Sequence, residues 1–415
     1  MPKTAQTTTQ YTQAFPDTDK FRAGGVVIIS LCHFIHDVYS SFLSPLLPLL
    51  IEKLSLSLTR AGLLSTVMQL PALLNPVIGV WADRISVRWF IILAPSMTAV
   101  PMCLLGLAPN YGVLLFLLFV AGISVSLFHV PAPVIISKLS GSHKGRGMSF
   151  FMVGGEFART VGPLAAVGGV ALLGLERFYP IMLFGLASSV WLYLKFKDVP
   201  IRTETRNNIS LKSTWGEIGA VMLPLAAILC ARGFMHASIV TFLPTYITQQ
   251  TGGLWLAGIS LTLVEGAGVA GVITAGPLSD RFGRKSVLLA CLVSAPVFLL
   301  AFIWLDGWPR FAALMLTGFS LLSTTPVMLA MVQEHSRNSP AAANGIFMMT
   351  SFTARSAVVV LVGYIADLIG LENTYLLSAF LGLIGIPFIV MLPRENAGPT
   401  RSKGTSIEND RPRGG

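Results

Sequence analysis

Several ionisable side chains stand in stretches that are otherwise apolar: His33, His36 and Asp37 in one run, His129 in another, Glu156 with Arg159, Arg232 with His236, then Glu265 and Arg355. A charge surrounded by hydrocarbon is expensive, so such residues face a polar cavity and have partners. The chemistry these types support is proton exchange and anion binding. Burial favours the neutral carboxyl and a nearby cation favours the carboxylate, so a carboxyl whose cationic partner moves can take up and release a proton. Asp37 is read as such a proton carrier, with His33 one turn before it on the same helix face. Glu156 and Glu265 are further proton-coupling candidates. Arginine keeps its charge and forks onto carboxylate or phosphonate oxygens. Arg159, Arg232 and Arg355 are therefore substrate-binding candidates, with His36, His129 and His236 beside them.

Blander readings stand next to these. Asp37 can be a permanently neutral or paired structural residue. Glu156 and Arg159, three apart, can neutralise one another; in the functional reading, protonating Glu156 frees Arg159 to hold an anionic group. His129 reads as cavity lining rather than as a metal ligand. No metal and no cofactor is expected, and no P-loop, GxSxG, HExxH or paired-carboxylate hydrolase pattern occurs, so an enzyme is not expected either.

The elements that must position these groups are membrane helices. The 415 residues are 53% hydrophobic and 12% charged, with a mean hydropathy of +0.71, and a soluble domain carries about twice that charge. Apolar stretches of about 20 residues, the length a bilayer core requires, recur at 24–51, 60–82, 88–108, 112–138, 147–173, 178–196, 216–248, 255–279, 286–305, 309–333, 341–369 and 374–392. Counted at about 1.5 Å per residue, Asp37, Arg159, Arg232 and Arg355 fall near the mid-plane and Glu265 nearer the outer face. The glycines and prolines are tolerated in such helices, and Trp81, Trp89, Trp215 and Trp308 cluster at helix ends as interfacial anchors do. Cys32, Cys103, Cys230 and Cys291 lie in apolar runs without CxxC spacing and read as small hydrophobes.

The net charge of +10 is topology rather than a nucleic-acid footprint. Lys53, Arg60, Arg177 and Arg310 fall on odd-numbered connections, and Arg159, Arg232 and Arg355 lie inside spans. The other Lys and Arg sit on even-numbered connections and the tails, which places both termini in the cytoplasm. The expected organisation is an N-terminal tail (1–22), a six-helix bundle (23–196), a linker (197–214), a second six-helix bundle (215–393) and a C-terminal tail (394–415).

The two bundles echo one another. Gly79, Asp83, Arg84 and Arg88 around the end of the second span correspond to Gly276, Asp280, Arg281, Gly283, Arg284 and Lys285 around the end of the eighth, and Leu47-Pro48 corresponds to Leu243-Pro244. Paired halves are how many secondary transporters build a mid-plane site between rocking bundles. Ion pairs in these loops, with a glycine allowing close approach, would hold one face closed and break as the bundles move. The second copy, GPLSDRFGRK, resembles the loop signature of the major facilitator superfamily at every position; the first departs at Ser86 and Val87. His33-Phe-Ile-His36-Asp37, Phe128-His129, Val153-Gly154-Gly155-Glu156, Gly162-Pro163-Leu164, Gln333-Glu334-His335 and Gly363-Tyr-Ile-Ala-Asp367 resemble the fosmidomycin resistance protein group of that superfamily.

That resemblance implies an all-α membrane protein of twelve transmembrane helices in two pseudo-symmetric bundles. It further implies a monomer in the plasma membrane, expected to be a bacterial inner membrane, with a small-molecule substrate and protons as partners. Gly162-Pro163 resembles the antiporter motif of the superfamily. The expected function is proton-coupled antiport exporting a small charged or zwitterionic compound; the alternative is a symporter or facilitator importing a small organic anion. Glu156 stands where the group usually has Asn, and Arg355 where glycines are usual, which suggests a cargo more charged than a lipophilic drug.

Overall fold

The computed structural model describes residues 20–75, 78, 88–197, 211–336 and 340–393. The described residues are almost wholly helical: α1 (Ala23–Ser40), α2 (Leu43–Leu54), α3 (Leu58–Gln69), α4 (Arg88–Cys103), α5 (Tyr111–His129), α6 (Ala132–Leu139), α7 (Lys144–Leu173), α8 (Met182–Phe196), α9 (Leu211–His236), α10 (Leu243–Thr251), α11 (Leu254–Phe282), α12 (Arg284–Trp304), α13 (Trp308–His335), α14 (Pro340–Leu383) and α15 (Ile386–Met391).

Among the described residues, ten helical segments are long and apolar enough to cross a bilayer. One of these, Ala342–Met391, contains two of the expected spans, because the chain turns at Gly370, whose φ of 79° an L side chain resists. The expected second span is described from Leu58 through a 3₁₀ turn, Leu70–Leu74, and then enters residues outside the description. Ser57 caps α3 by accepting the Arg60 N–H.

Both halves break their first helix at matching places. In the N-terminal half the break at Ser41–Phe42 separates α1 from α2, a few residues after Asp37. In the C-terminal half a π-turn, Ala237–Thr241, separates α9 from α10 directly after His236. Such single-turn bulges re-aim side chains near functional sites. The long α7 packs on α1, and α14 packs on α9, so the pairing repeats between halves. Across the halves, α3 packs on α14 and α7 on α11.

Apolar packing is continuous at one end and divided at the other. Leu46, Leu47, Tyr246, Ile247, Val359 and Leu371 belong to one buried cluster that joins both halves. At the end bearing the start of α1 there are two clusters. One contains Val26, Ile92, Leu139 and Phe196 and the other Leu225, Val287, Val332 and Phe347. The continuous end is closed by backbone-to-backbone approach at two glycines. A Cβ on Gly62 would come within 2.7 Å of the Val359 carbonyl, and one on Gly363 within 2.3 Å of the Leu58 carbonyl.

Candidate functional site

The interior charges form two groups. The first is built on α1, where His33 and Asp37 lie one turn apart, and on the end of α5, which supplies His129. His33 Nε2 is 3.2 Å from Asp37 Oδ2, His129 Nε2 is 3.5 Å from Asp37 Oδ1, and the two Nε2 atoms are 3.3 Å apart. Asp37 is 8% exposed. The His33 ring is stacked on Phe151 at 4.0 Å between centroids, and its other side is set by Gly155, where a Cβ would lie 2.4 Å from the ring. Each glycine of the pair in α7 answers to a specific neighbour. Gly154 lets that helix approach the Ser30 carbonyl, and Gly155 leaves room for the imidazole.

Hydrogen bonds fix the tautomers. His33 Nδ1 lies 2.8 Å from the Phe151 carbonyl and His129 Nδ1 lies 3.0 Å from the Val125 carbonyl. A carbonyl only accepts, so each Nδ1 carries the proton and donates. His36 follows the same rule. Its Nδ1 is 3.3 Å from the Ala94 carbonyl and 2.9 Å from Thr98 Oγ1, whose own hydroxyl donates to Ser124. His36 is fully buried against α4, and its Nε2 is 3.9 Å from Asp37 Oδ1. His36 faces α4 through Nδ1, and its other nitrogen turns back toward Asp37. Thr98 and Ser124, which carry this arrangement, have no signal in the sequence.

The second group spans the halves. Arg159 on α7 is ion-paired with Glu156 one turn before it, and its Nε lies 3.9 Å from Glu265 Oε2 on α11. Glu265 lies eleven residues from the Leu254 end of α11 and seventeen from Phe282, on the side of the helix middle where the sequence reading puts it, and its side chain still reaches Arg159. Arg159 lies within electrostatic reach of Asp37, and Arg355 within reach of Arg159 and Glu265, so the two groups adjoin. Arg355 also packs over the Phe352 ring at 5.2 Å. Arg232 donates to the Leu321 carbonyl and to Thr325 Oγ1, both at 3.1 Å. Arg232 Nε and His236 Nδ1 are buried and have no hydrogen-bond partner among the described residues.

The loop motif is described in its second copy. Asp280, Arg284 and Glu334 form a network in which Arg284 pairs with Asp280 at 2.5 Å and with Glu334 at 2.9 Å, and also donates to Ser279. Lys285 donates to the Leu392 carbonyl at 2.6 Å, and Arg281 covers the Phe282 ring. These partners all belong to the C-terminal half. The glycine expectation is refined: Gly283 is needed for its φ of 91°, whereas no described atom lies within 4 Å of a Cβ on Gly276. Gly79, Asp83 and Arg84 lie outside the described residues; Arg88 donates to the Lys197 carbonyl at 2.6 Å. A Cβ on Gly162 would lie 3.0 Å from the Val38 carbonyl, and one on Gly258 would lie 3.6 Å from the Pro163 carbonyl, which pins this part of α7 between α1 and α11.

One further pairing is absent from the sequence reading. Asp367, near the end of the ascending part of α14, accepts from the Leu58 N–H at 2.7 Å, the Thr59 N–H at 2.8 Å and the Thr59 hydroxyl at 2.5 Å. The Asp of Gly-Tyr-Ile-Ala-Asp is legible, but its partner depends on the meeting of two distant helices.

Comparison with known proteins agrees with this architecture. The Major Facilitator Superfamily profile matches residues 29–274 and 255–409. The fosmidomycin resistance protein of Escherichia coli (strain K12) is 28% identical over 382 residues, 88% of this chain and 91% of that protein. An uncharacterized MFS-type transporter of Bacillus subtilis (strain 168), YfnC, is 23% identical over 87% of this chain and 91% of its own. Among solved structures, a bacterial homologue of the human lysosomal transporter Spinster, inward-facing and occupied, superposes with a TM-score of 0.78 at 14% identity, covering 89% of this chain and 96% of that one. The D-xylose-proton symporter gives 0.72 at 12% identity, covering 90% and 98%.

Proposed function

This chain belongs to the Major Facilitator Superfamily, and on that premise we propose that it is a proton-coupled antiporter exporting a small charged or zwitterionic organic compound by alternating access. The observation that carries the reading is Arg159, held between Glu156 of its own helix and Glu265 of the opposite half. These carboxylates can each hold either a proton or the cationic end of a cargo, but not both at once. Mutual exclusion of that kind is the condition for exchange. Arg355 and Arg232 stand ready for the anionic end. A zwitterion laid across this layer bridges the two halves, and its departure leaves the carboxylates free for protons. The name of the fosmidomycin resistance protein points the same way, toward expulsion of a small polar compound.

The distribution of Lys and Arg assigns the end bearing the start of α1 to the cytoplasm. The continuous apolar packing then closes the outer face, and the divided end opens inward. Gly62, Gly363 and the Asp367–Thr59 contact belong to that outer closure. The network of Asp280, Arg284 and Glu334 sits at the divided end, within the C-terminal half.

The pairing of Glu156 with Arg159 also favours a second reading. If protonating Glu156 releases Arg159 to hold an anion, proton and cargo travel together, and the protein imports an organic anion as a symporter. Reconstituted vesicles separate the two. With a luminal pH reporter and the membrane potential clamped, zwitterions and anions, fosmidomycin among them, are added outside. Alkalinisation of the lumen on cargo entry indicates exchange; acidification indicates symport.

A further inference from the structure

Three side chains converge on one buried point. His33 and His129 each spend Nδ1 on a backbone carbonyl, which leaves the two Nε2 atoms to face the Asp37 carboxylate, and in the neutral imidazole each of these is a lone pair. Asp37 Oδ1 is buried without a hydrogen-bond partner among the described residues, and so is His36 Nε2 behind it. A buried carboxylate facing two lone pairs is unfavourable unless a cation lies among them, either a proton on one imidazole or a metal ion held by all three side chains. The dimensions say which kind of cation fits. Nitrogen and oxygen ligands at about 2.0–2.1 Å from a tetrahedral dication stand about 3.3 Å from one another. The two Nε2 atoms stand 3.3 Å apart, one of them 3.2 Å from Asp37 Oδ2 and the other 3.5 Å from Oδ1, and one donor atom from each residue lies within 4.8 Å of the other two.

We propose that His33 Nε2, His129 Nε2 and the Asp37 carboxylate form a binding site for one divalent transition metal ion of the Zn²⁺ or Co²⁺ class. Two imidazoles and a carboxylate suit such borderline ions rather than Ca²⁺ or Mg²⁺, which prefer all-oxygen shells. The surrounding contacts are those that orient metal-bound histidines: the non-ligating nitrogen is held by the Phe151 carbonyl in one and the Val125 carbonyl in the other. His129 is more than a third exposed in its side chain, so the ion has an entry path and an open position on the cavity side for water or an oxygen of the cargo. The inference goes beyond the transport reading and does not rest on it.

The test is a titration of tag-free, full-length protein in lipid nanodiscs with Co²⁺, read by the visible d–d absorption of a low-coordinate ion, and with Zn²⁺ by calorimetry. One equivalent is expected to bind. Affinity is expected to fall more than about tenfold in His129→Ala and in Asp37→Asn, and to be unchanged in His143→Ala and His335→Ala. His129 lies at the cavity edge, so its truncation leaves the fold intact, and a metal-free melting curve matching the parent confirms that. Absence of a bound equivalent at millimolar Co²⁺, or binding undiminished in His129→Ala, overturns the proposal. The measurement uses no gradient, so its failure leaves the transport assay to stand or fall separately.

Discussion

Asp367 receives both the backbone N–H and the hydroxyl of Thr59, and through them fastens α14 of one half to the start of α3 in the other. The carboxylate sits at a helix N-terminus, where the exposed N–H groups and the helix dipole favour negative charge. Asp367→Asn keeps the shape but removes the charge and one acceptor. The expected cost to the closed end is about 1–3 kcal/mol, a shift of about fivefold or more in the balance of conformations. Thr66 lies further along the same interface, where its hydroxyl donates to the Ser356 carbonyl. A Thr66→Cys reporter should be labelled faster by a membrane-impermeant maleimide when Asp367→Asn is added; an unchanged rate would show that this contact is no latch.

The glycines at the same interface predict a sharper effect. A methyl on Gly363 meets a backbone carbonyl, which cannot swing aside as a side chain can. Gly363→Ala should therefore destabilise the closed end by about 1–3 kcal/mol and raise labelling at the same reporter. Gly276→Ala, where no described atom lies within 4 Å of the added Cβ, should leave labelling unchanged.

Gly155 and His33 give a prediction inside the cavity. A Cβ at Gly155 would overlap the imidazole, so Gly155→Ala and His33→Ala should both slow transport, and Gly155→Ala should lower Tm only modestly. Transport at the parent level in Gly155→Ala would mean that the position of the His33 ring does not matter to the cycle.

Much of this architecture is legible in the sequence, and the parts that are not have physical reasons. Asp37, Glu156, Arg159 and Glu265 stand out because an ionisable side chain in an apolar run is conspicuous. Their pairing across halves does not, since Arg159 meets Glu265 only when α7 packs on α11. His33 and His129 lie far apart in the chain, and nothing local reveals that their Nε2 atoms stand 3.3 Å from each other. The two-fold plan is readable from GPLSDRFGRK and its imperfect earlier copy.

The loop network yields a prediction of small effect. Glu334 is half exposed and Arg284 also pairs with Asp280, so Glu334→Gln should change thermal stability by less than about 1 kcal/mol. Arg284→Ala removes both pairs and should slow transport more than it lowers Tm. A large loss of stability in Glu334→Gln would assign this network to the fold instead of the gate.

In the proposed cycle Glu156 and Glu265, facing one another across Arg159, exchange protons for cargo. The most direct measurement is the change in luminal pH when a transported zwitterion enters proteoliposomes at clamped potential, compared between the parent and Glu265→Gln. Alkalinisation in the parent, abolished in Glu265→Gln, is the predicted result. Acidification on cargo entry, or exchange undiminished in Glu265→Gln, would contradict it.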